Sequence, residues 1–254
     1  MKITLLGTGT SQGIPIIGCN CKTCKSNNPK DKRLRTSAYI EVNNLKILID
    51  TSIDFRQQML TNNITDLNAI LFTHHHVDHI FGLDDLRQIN QRYNKFIDIY
   101  GNETTLNEIK ITFRYILDEE LIKYRAVPLV NFNYIDNNEF FIGDQKIIPI
   151  EVFHGRLKIF GYRINDFAYI TDCSNIPDIE MKKLYGLKIL VLNALRRAPH
   201  PTHFNLSQAI DIAQSVRPEL TYFTHITHDL NYEEISRILP DNIFLGYDGL
   251  TLTI

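Results

Sequence analysis

Apolar residues along this chain fall into two rhythms. Short runs rich in Ile, Val, Tyr and Phe, bounded by Gly, Asn and Asp, predict strands. The first group covers Ile3–Leu6, Ala38–Val42, Lys46–Asp50, Ala69–Thr73 and Ile97–Tyr100. The second covers Lys146–Val152, Phe160–Ile164, Phe167–Thr171, Lys188–Leu192, Leu220–Thr224, Ile243–Leu245 and Leu250–Ile254. Between them, apolar positions three and four apart predict helices over Phe55–Leu60, Leu83–Gln91, Leu106–Leu117, Leu206–Val216 and Glu233–Leu239. Ser207 falls in the first turn of one of these helices and Pro218 just beyond its end. Strands come first, then strands mixed with helices, in two roughly similar halves. That order predicts an α/β sandwich with helices on the outer faces of two packed sheets. With no low-complexity stretch or linker, one domain is expected over residues 1–254. The cysteine-bearing stretch Gly18–Ser37 reads as an ordered loop stapled by metal.

Composition narrows the function more than the fold. Apolar residues make up 44% and charged residues 22%, as in ordinary globular domains. A net charge of −2 argues against a protein that grips long nucleic acid, despite the basic loop over residues 22–35. The apolar start is broken by Gly7-Thr8-Gly9 too early for a secretory signal. No window approaches the ~18 apolar residues that a membrane crossing needs. The expected location is the cytoplasm, where the four cysteines are better read as ligands or core residues than as disulfides.

The chemistry concentrates in Thr73-His74-His75-His76-Val77-Asp78-His79. His74 and His76 are two apart and leave a predicted strand, so in extended backbone they share a side and can reach one metal ion. Asp78 and His79 enter the next turn and can serve a second ion, since imidazole and carboxylate suit Zn²⁺ and neighbouring divalent ions. His75 and His79 have the spacing of a His-Glu-x-x-His site, but His76 stands where that site needs its glutamate. More ligands should come from other strand ends. His154, Asp172 and His225 each follow a predicted strand. Singly, each could equally be a core imidazole, a turn residue or a strand cap; together they complete a set for two ions. Asp50 and Asp248 stand where either could hold the second ring nitrogen of a metal-bound histidine, or simply make a turn.

This constellation resembles the metallo-β-lactamase superfamily, from Leu6-Gly7-Thr8-Gly9 to Gly246-Tyr247-Asp248-Gly249. The resemblance implies a four-layer αβ/βα sandwich and a metal-dependent hydrolase. It assigns His74, His76 and His154 to one ion and Asp78, His79 and His225 to the other, with Asp172 bridging them. Two such ions, Zn²⁺ or Mn²⁺, about 3.5–4 Å apart, can share and acidify one water.

A second cluster, Cys19-x-Cys21-x-x-Cys24, has the spacing of a loop wrapped around a tetrahedral Zn²⁺, with a fourth ligand to be found. Cys173 would draw that ion toward the catalytic cluster; His228, three residues after His225, is the better candidate. The same combination, with Gln12-Gly13-x-Pro15 and Thr224-His225-Ile226-x-His228, is similar to the phosphonate-pathway phosphodiesterases that open phosphoribosyl 1,2-cyclic phosphate. That resemblance implies a structural zinc on Cys19, Cys21, Cys24 and His228. It also makes His203 a catalytic residue that contacts the phosphate or protonates the leaving oxygen. Asn205 stands where those enzymes carry Asp, which leaves the substrate open. Arg87 could face substrate or solvate a helix. The expected function is a phosphodiesterase on a small or cyclic phosphate ester, with no membrane partner and with a homodimer left open. The alternatives are tRNA processing of the ribonuclease Z kind, whose gripping arm is not visible here, and a non-catalytic metal carrier.

Overall fold

The computed structural model describes residues 1–254 as two seven-stranded sheets packed face to face. In the first, β1 (Lys2–Gly7), β2 (Ser37–Val42), β3 (Leu45–Ile49), β4 (Ala69–Leu71), β5 (Ile97–Gly101) and β6 (Val130–Tyr134) lie side by side. The second runs from β7 (Phe140–Ile142) through β8 (Gln145–His154), β9 (Leu157–Ile164), β10 (Phe167–Ile170), β11 (Ile189–Asn193) and β12 (Leu220–Thr224) to β13 (Ile243–Leu245). The last strand, β14 (Thr251–Thr253), returns to the first sheet beside β1. Each sheet then shows three antiparallel junctions followed by three parallel ones. The two halves visible in the sequence are two copies of one sheet plan.

Strand alternation explains the layers. Along β3, Ile47 and Ile49 face the other sheet while Leu48 faces outward; along β10, Phe167 and Tyr169 face inward and Ala168 and Ile170 outward. Both faces are buried, so these strands read as continuous apolar runs. Helices cover the outward faces. On the first sheet lie α1 (Phe55–Thr61), α2 (Val77–Ile80), α3 (Arg87–Tyr93), α4 (Glu103–Thr112) and α5 (Glu119–Lys123). On the second lie α6 (Asp178–Met181), α7 (Leu206–Val216) and α8 (Tyr232–Ser236). The result is the expected four-layer αβ/βα sandwich. No helix is long and apolar enough to cross a membrane.

The structure departs from the expected elements at their margins. Strands β6 and β7 were not among the expected ones; β6, Val-Asn-Phe-Asn-Tyr, alternates apolar and polar residues as a half-buried edge does, and β7, Phe-Phe-Ile, is only three residues long with Phe141 56% exposed. The helix expected over Leu106–Leu117 starts at Glu103, because the Asn102 side chain accepts the Thr105 N–H at 2.8 Å, and it gives way to a 3₁₀ turn at Arg114. Strand β4 stops at Leu71, releasing Thr73 to other partners. Helix α7 opens with a capping box: the Asn205 side chain accepts Gln208 N–H at 2.9 Å, and the Gln208 side chain accepts Asn205 N–H at 3.0 Å. An aspartate would cap equally well, so Asn205 reports on helix start and says little about substrate.

The turn after α2 is packed too closely for any side chain. A Cβ on Gly82 would stand 2.2 Å from the Ser52 carbonyl oxygen and 2.4 Å from Phe55 Cβ. Gly82→Ala should therefore destabilise the protein by about 1–3 kcal/mol, as overpacking does, seen as a lowered Tm. An unchanged melting curve would contradict this packing.

Candidate metal centre

The parallel strands and β8 end on one side of the sandwich, and the polar residues gather there. His74 to His79 follow β4, His154 closes β8, Asp172 follows β10 and His225 follows β12. Three groups of donor atoms form, each within 4.8 Å of one another: His74, His76 and His154; Asp78, His79, Asp172 and His225; and His154, Asp172 and His203. Asp172 belongs to two of them. Its oxygens lie 3.3 Å from His79 Nε2, 3.0 Å from His225 Nε2 and 3.1 Å from His203 Nε2. The imidazole rings of His74 and His79 meet at 4.1 Å, so the first two groups adjoin.

Three of these imidazoles are anchored through Nδ1, which turns Nε2 inward. His79 Nδ1–H donates to Asp50 Oδ2 at 2.7 Å, His154 Nδ1–H to the Thr202 carbonyl at 2.8 Å, and His74 Nδ1 meets Thr73 Oγ1 at 3.0 Å. Asp50 is itself fixed by the N–H and hydroxyl of Thr73, both at 2.8 Å. Such outer partners are what orient metal-binding histidines. Inward, His79 Nε2 and both nitrogens of His225 are buried without a hydrogen-bond partner. His225 Nε2 is close to Asp172 but off the line of a hydrogen bond. Buried polar atoms are rarely left this way, and imidazole with carboxylate is the donor chemistry of divalent ions. The residues present fit a metal pair.

The electrostatics agree. Burial drives the His74 imidazole well below its ordinary range, and burial with His154 nearby lowers His76, so both are neutral donors. Burial works against ionisation of Asp172, but His225 and His79 outweigh it and hold the carboxyl well below its usual range. Asp78 is lowered by the same contest, with His79 and His225 against burial. Burial would discharge His79, yet Asp172, Asp78 and Asp50 outweigh it and raise the imidazole well above its ordinary value. The centre is built to collect positive charge. It also holds backbone strain: Asp50, Asp172 and His225 have φ of 61°, 56° and 53°, in the left-handed region that ordinary residues avoid.

His203 lies just ahead of α7, with Thr202 Oγ1 at 2.9 Å from its Nδ1. Burial, opposed by Asp172, brings its imidazole down to about 4. The pocket above these groups measures about 380 Å³ and is also lined by Thr10, Ser11, Gln12, Arg196, His200 and Thr227. Of these, His200 was missed as a site residue, although its Nδ1 lies 3.1 Å from that of His203. The signal was available, since residues 194–203 follow β11 as the other donors follow their strands.

The cysteines form a separate group. His228 Nδ1 lies 3.2, 3.4 and 3.6 Å from the sulfurs of Cys19, Cys21 and Cys24. The Cys24 N–H points at Cys21 Sγ at 3.4 Å and the Ile16 N–H at Cys24 Sγ at 3.4 Å, a cradle for thiolates. Burial opposes ionisation of Cys21, but the Cys24 N–H and neighbouring thiols bring it down to about 7. Cys173 stands apart, buried and bonded to the Asn175 carbonyl.

For two residues whose roles the sequence left open, the structure takes the plainer alternative. Asp248 does not touch a histidine; it accepts the Thr8 hydroxyl at 2.8 Å and the Leu34 N–H at 2.6 Å, closing the chain's last turn on its first. Arg87 is absent from the pocket lining and lies 3.9 Å from Asp84 in the 3₁₀ turn that precedes its helix. The basic loop is likewise tied internally. Lys22 pairs with Glu234, Arg35 with Asp54, and Lys30 sits over the rings of Tyr232 and Tyr247.

Residues 46–226 match the family model described as a beta-lactamase superfamily domain. A crystal structure described as a new diphosphatase from the PhnP family superposes with a TM-score of 0.92 at 43% identity, covering 99% of this chain and 96% of that one. The chain therefore belongs to the metallo-β-lactamase superfamily, in its PhnP-type branch. An octanoyltransferase of Porphyromonas gingivalis is 39% identical over 100% of this chain but 52% of its own length. A ribonuclease Z of Methanopyrus kandleri is 30% identical over 54% of this chain and 46% of its own. The chain thus spans about half the length of these curated relatives. Zinc-bound PqqB from Methylobacterium extorquens, at 17% identity and a TM-score of 0.81, shares the fold.

The Asp50 contact generates a test. In Asp50→Asn one amide oxygen must serve donors that a carboxylate serves together, so His79 loses its fixed orientation. Metal affinity should fall about 10–100-fold, measured by titration against a competing chelator. Unchanged affinity in a folded variant would refute the orienting role.

Proposed function

We propose that this chain is a phosphodiesterase acting on a small or cyclic phosphate ester through two divalent ions, Zn²⁺ or Mn²⁺. His74, His76 and His154 would hold one ion, Asp78, His79 and His225 the other, and Asp172 would bridge them. The observation that carries this reading is the convergence of these donors around Asp172, with inward nitrogens left unsatisfied. When bound, such a pair supplies a nucleophile from water near neutral pH and neutralises phosphoryl oxygens. The chain's own residues do the rest. Asp50, Thr73 and the Thr202 carbonyl hold the donor rings in place. His203, with Nδ1 backed by Thr202 and Nε2 beside Asp172, would turn Nε2 to a phosphoryl oxygen; to pass a proton to the leaving oxygen it would first have to take one up, since burial keeps its imidazole neutral.

The diphosphatase likeness supports attack at phosphorus, because a diphosphate link and a phosphodiester are opened by the same in-line displacement. A pocket of about 380 Å³ favours a small ester over the long groove a tRNA would need. We further propose a structural Zn²⁺ on Cys19, Cys21, Cys24 and His228; four protein donors leave it no open position, so it would staple the loop and take no part in catalysis.

Metal-reconstituted protein should hydrolyse bis(p-nitrophenyl) phosphate. His76→Ala should lower kcat/KM more than about 100-fold, beyond the loss expected from a merely supporting residue, with bound metal falling in parallel and the circular dichroism spectrum unchanged. Retained turnover would sink the ligand assignment, and an inert wild type with full metal content would favour a carrier. Cys21→Ser tests the other site: total zinc by elemental analysis should drop by one equivalent per chain and Tm should fall. A neutral result on both would remove the structural ion.

A further inference from the structure

The peptide that joins Phe72 to Thr73 is gripped at both ends. Strand β4 stops at Leu71, so the backbone groups beyond it must find partners outside the ladder. The Phe72 N–H keeps to the first sheet and bonds the Tyr100 carbonyl at 2.8 Å. The Phe72 carbonyl has no backbone donor; it accepts the Tyr162 hydroxyl at 2.6 Å. The N–H of the same peptide belongs to Thr73 and bonds Asp50 Oδ1 at 2.8 Å. One residue further, the Thr73 carbonyl accepts the Phe160 N–H at 3.0 Å. Strand β9 of the second sheet therefore holds the root of the His74–His79 loop, which belongs to the first.

A peptide unit is planar, so its oxygen and its N–H turn together. A hydroxyl on the oxygen fixes where the N–H points, and by polarising the amide it makes that N–H a better donor. The acceptor is the fully buried Asp50, whose other two donors are the Thr73 hydroxyl and His79 Nδ1–H. Tyr162 is itself fully buried between the sheets, and burial raises its phenol well above the ordinary range, so the hydroxyl stays a donor. A phenylalanine would fill the same space, so packing alone does not call for the hydroxyl. The cross-strand neighbour, Tyr169, is committed elsewhere, with its hydroxyl 2.9 Å from Thr36 Oγ1.

We propose that Tyr162 is a positioning residue for the metal centre, acting across the sandwich through the Phe72–Thr73 peptide and Asp50 on the orientation of His79. It touches neither a donor histidine nor the pocket. Its hydroxyl sets the peptide plane, the plane sets one of the bonds that hold Asp50, and Asp50 sets the ring whose Nε2 faces Asp172. This inference rests on the two-metal reading above.

Tyr162→Phe removes the hydroxyl and keeps the ring. Metal affinity, by competition with a chelator, should fall about tenfold, the low end of what outer partners supply, since Tyr162 acts at one remove. The visible absorption bands of the Co²⁺-loaded protein should shift as well. In an Asp50→Asn background the same substitution should cost little more, because the link is already cut. Ile147→Ala opens the same core near the start of β8, away from His154, and should lower Tm while leaving affinity and Co²⁺ spectrum unchanged. Wild-type affinity and spectrum in folded Tyr162→Phe overturn the proposal. So do a loss that persists in full beside Asp50→Asn and an equal loss in Ile147→Ala. A Tyr162→Phe chain that does not fold overturns it too, since the hydroxyl would then serve folding as a whole. Wild type that takes up no metal overturns the two-metal reading and this inference with it, whereas metal uptake that ignores Tyr162 overturns this inference alone.

Discussion

The Asp50 carboxylate and the Nδ1–H of His79 meet at 2.7 Å with both side chains fully buried, and the metal centre is organised from that contact. A buried carboxylate is costly unless each oxygen is bonded. Asp50 meets the condition with two donors from Thr73 and one from His79. Those bonds tie the end of β3 to the loop leaving β4 and leave His79 one way to point. Its Nε2 then faces Asp172, which arrives from the other sheet.

Asp50 and Asp172 occupy matching places. Each follows the fourth strand of its sheet and each sits in left-handed backbone. The Asp50 carboxylate holds one buried ring; its counterpart lies among three imidazoles. The repeated sheet plan thus supplies two acidic residues at one seam with different neighbours, Thr73 and His79 at Asp50 and three imidazoles at Asp172. Burying Asp172 without compensating charge would be prohibitive, so the surrounding histidines form part of the fold's own stability.

The cysteine group is joined to this centre through residues 225–228. Ile226 bonds Thr8 through its N–H and Thr10 through its carbonyl, while its side chain is fully buried. His225 on one side and His228 on the other are thereby sent to different donor groups from one short segment. The Gly7-Thr8-Gly9 turn that makes this possible is crowded: a Cβ on Gly7 would stand 1.9 Å from the Arg35 carbonyl oxygen. Glycine is required there by close backbone approach.

Much of the site was legible in the order of residues. Alternation of apolar positions marked the strands, and a histidine or aspartate just past a strand end marked each donor, because strand ends in a layered α/β fold converge on one edge. The Cys spacing is local and readable for the same reason that any tight loop is. Edge strands β6 and β7 were passed over, although β6 alternates apolar and polar residues; β7 is a run of three, too short to tell from any apolar triplet in a loop. The sequence offered Asp50 and Asp248 alike as partners for a donor histidine and could not say which meets one, and the cap made by Asn205 was beyond it. Whether an aspartate after a strand faces His79 or closes a turn on Thr8 depends on which distant backbone passes beside it. Whether an arginine finds an acid depends on contacts that the chain makes only after folding. The sequence by itself determined the donors and the layers, through periodicity and spacing; the tertiary structure alone decided which buried polar groups satisfy one another and which are left facing the pocket.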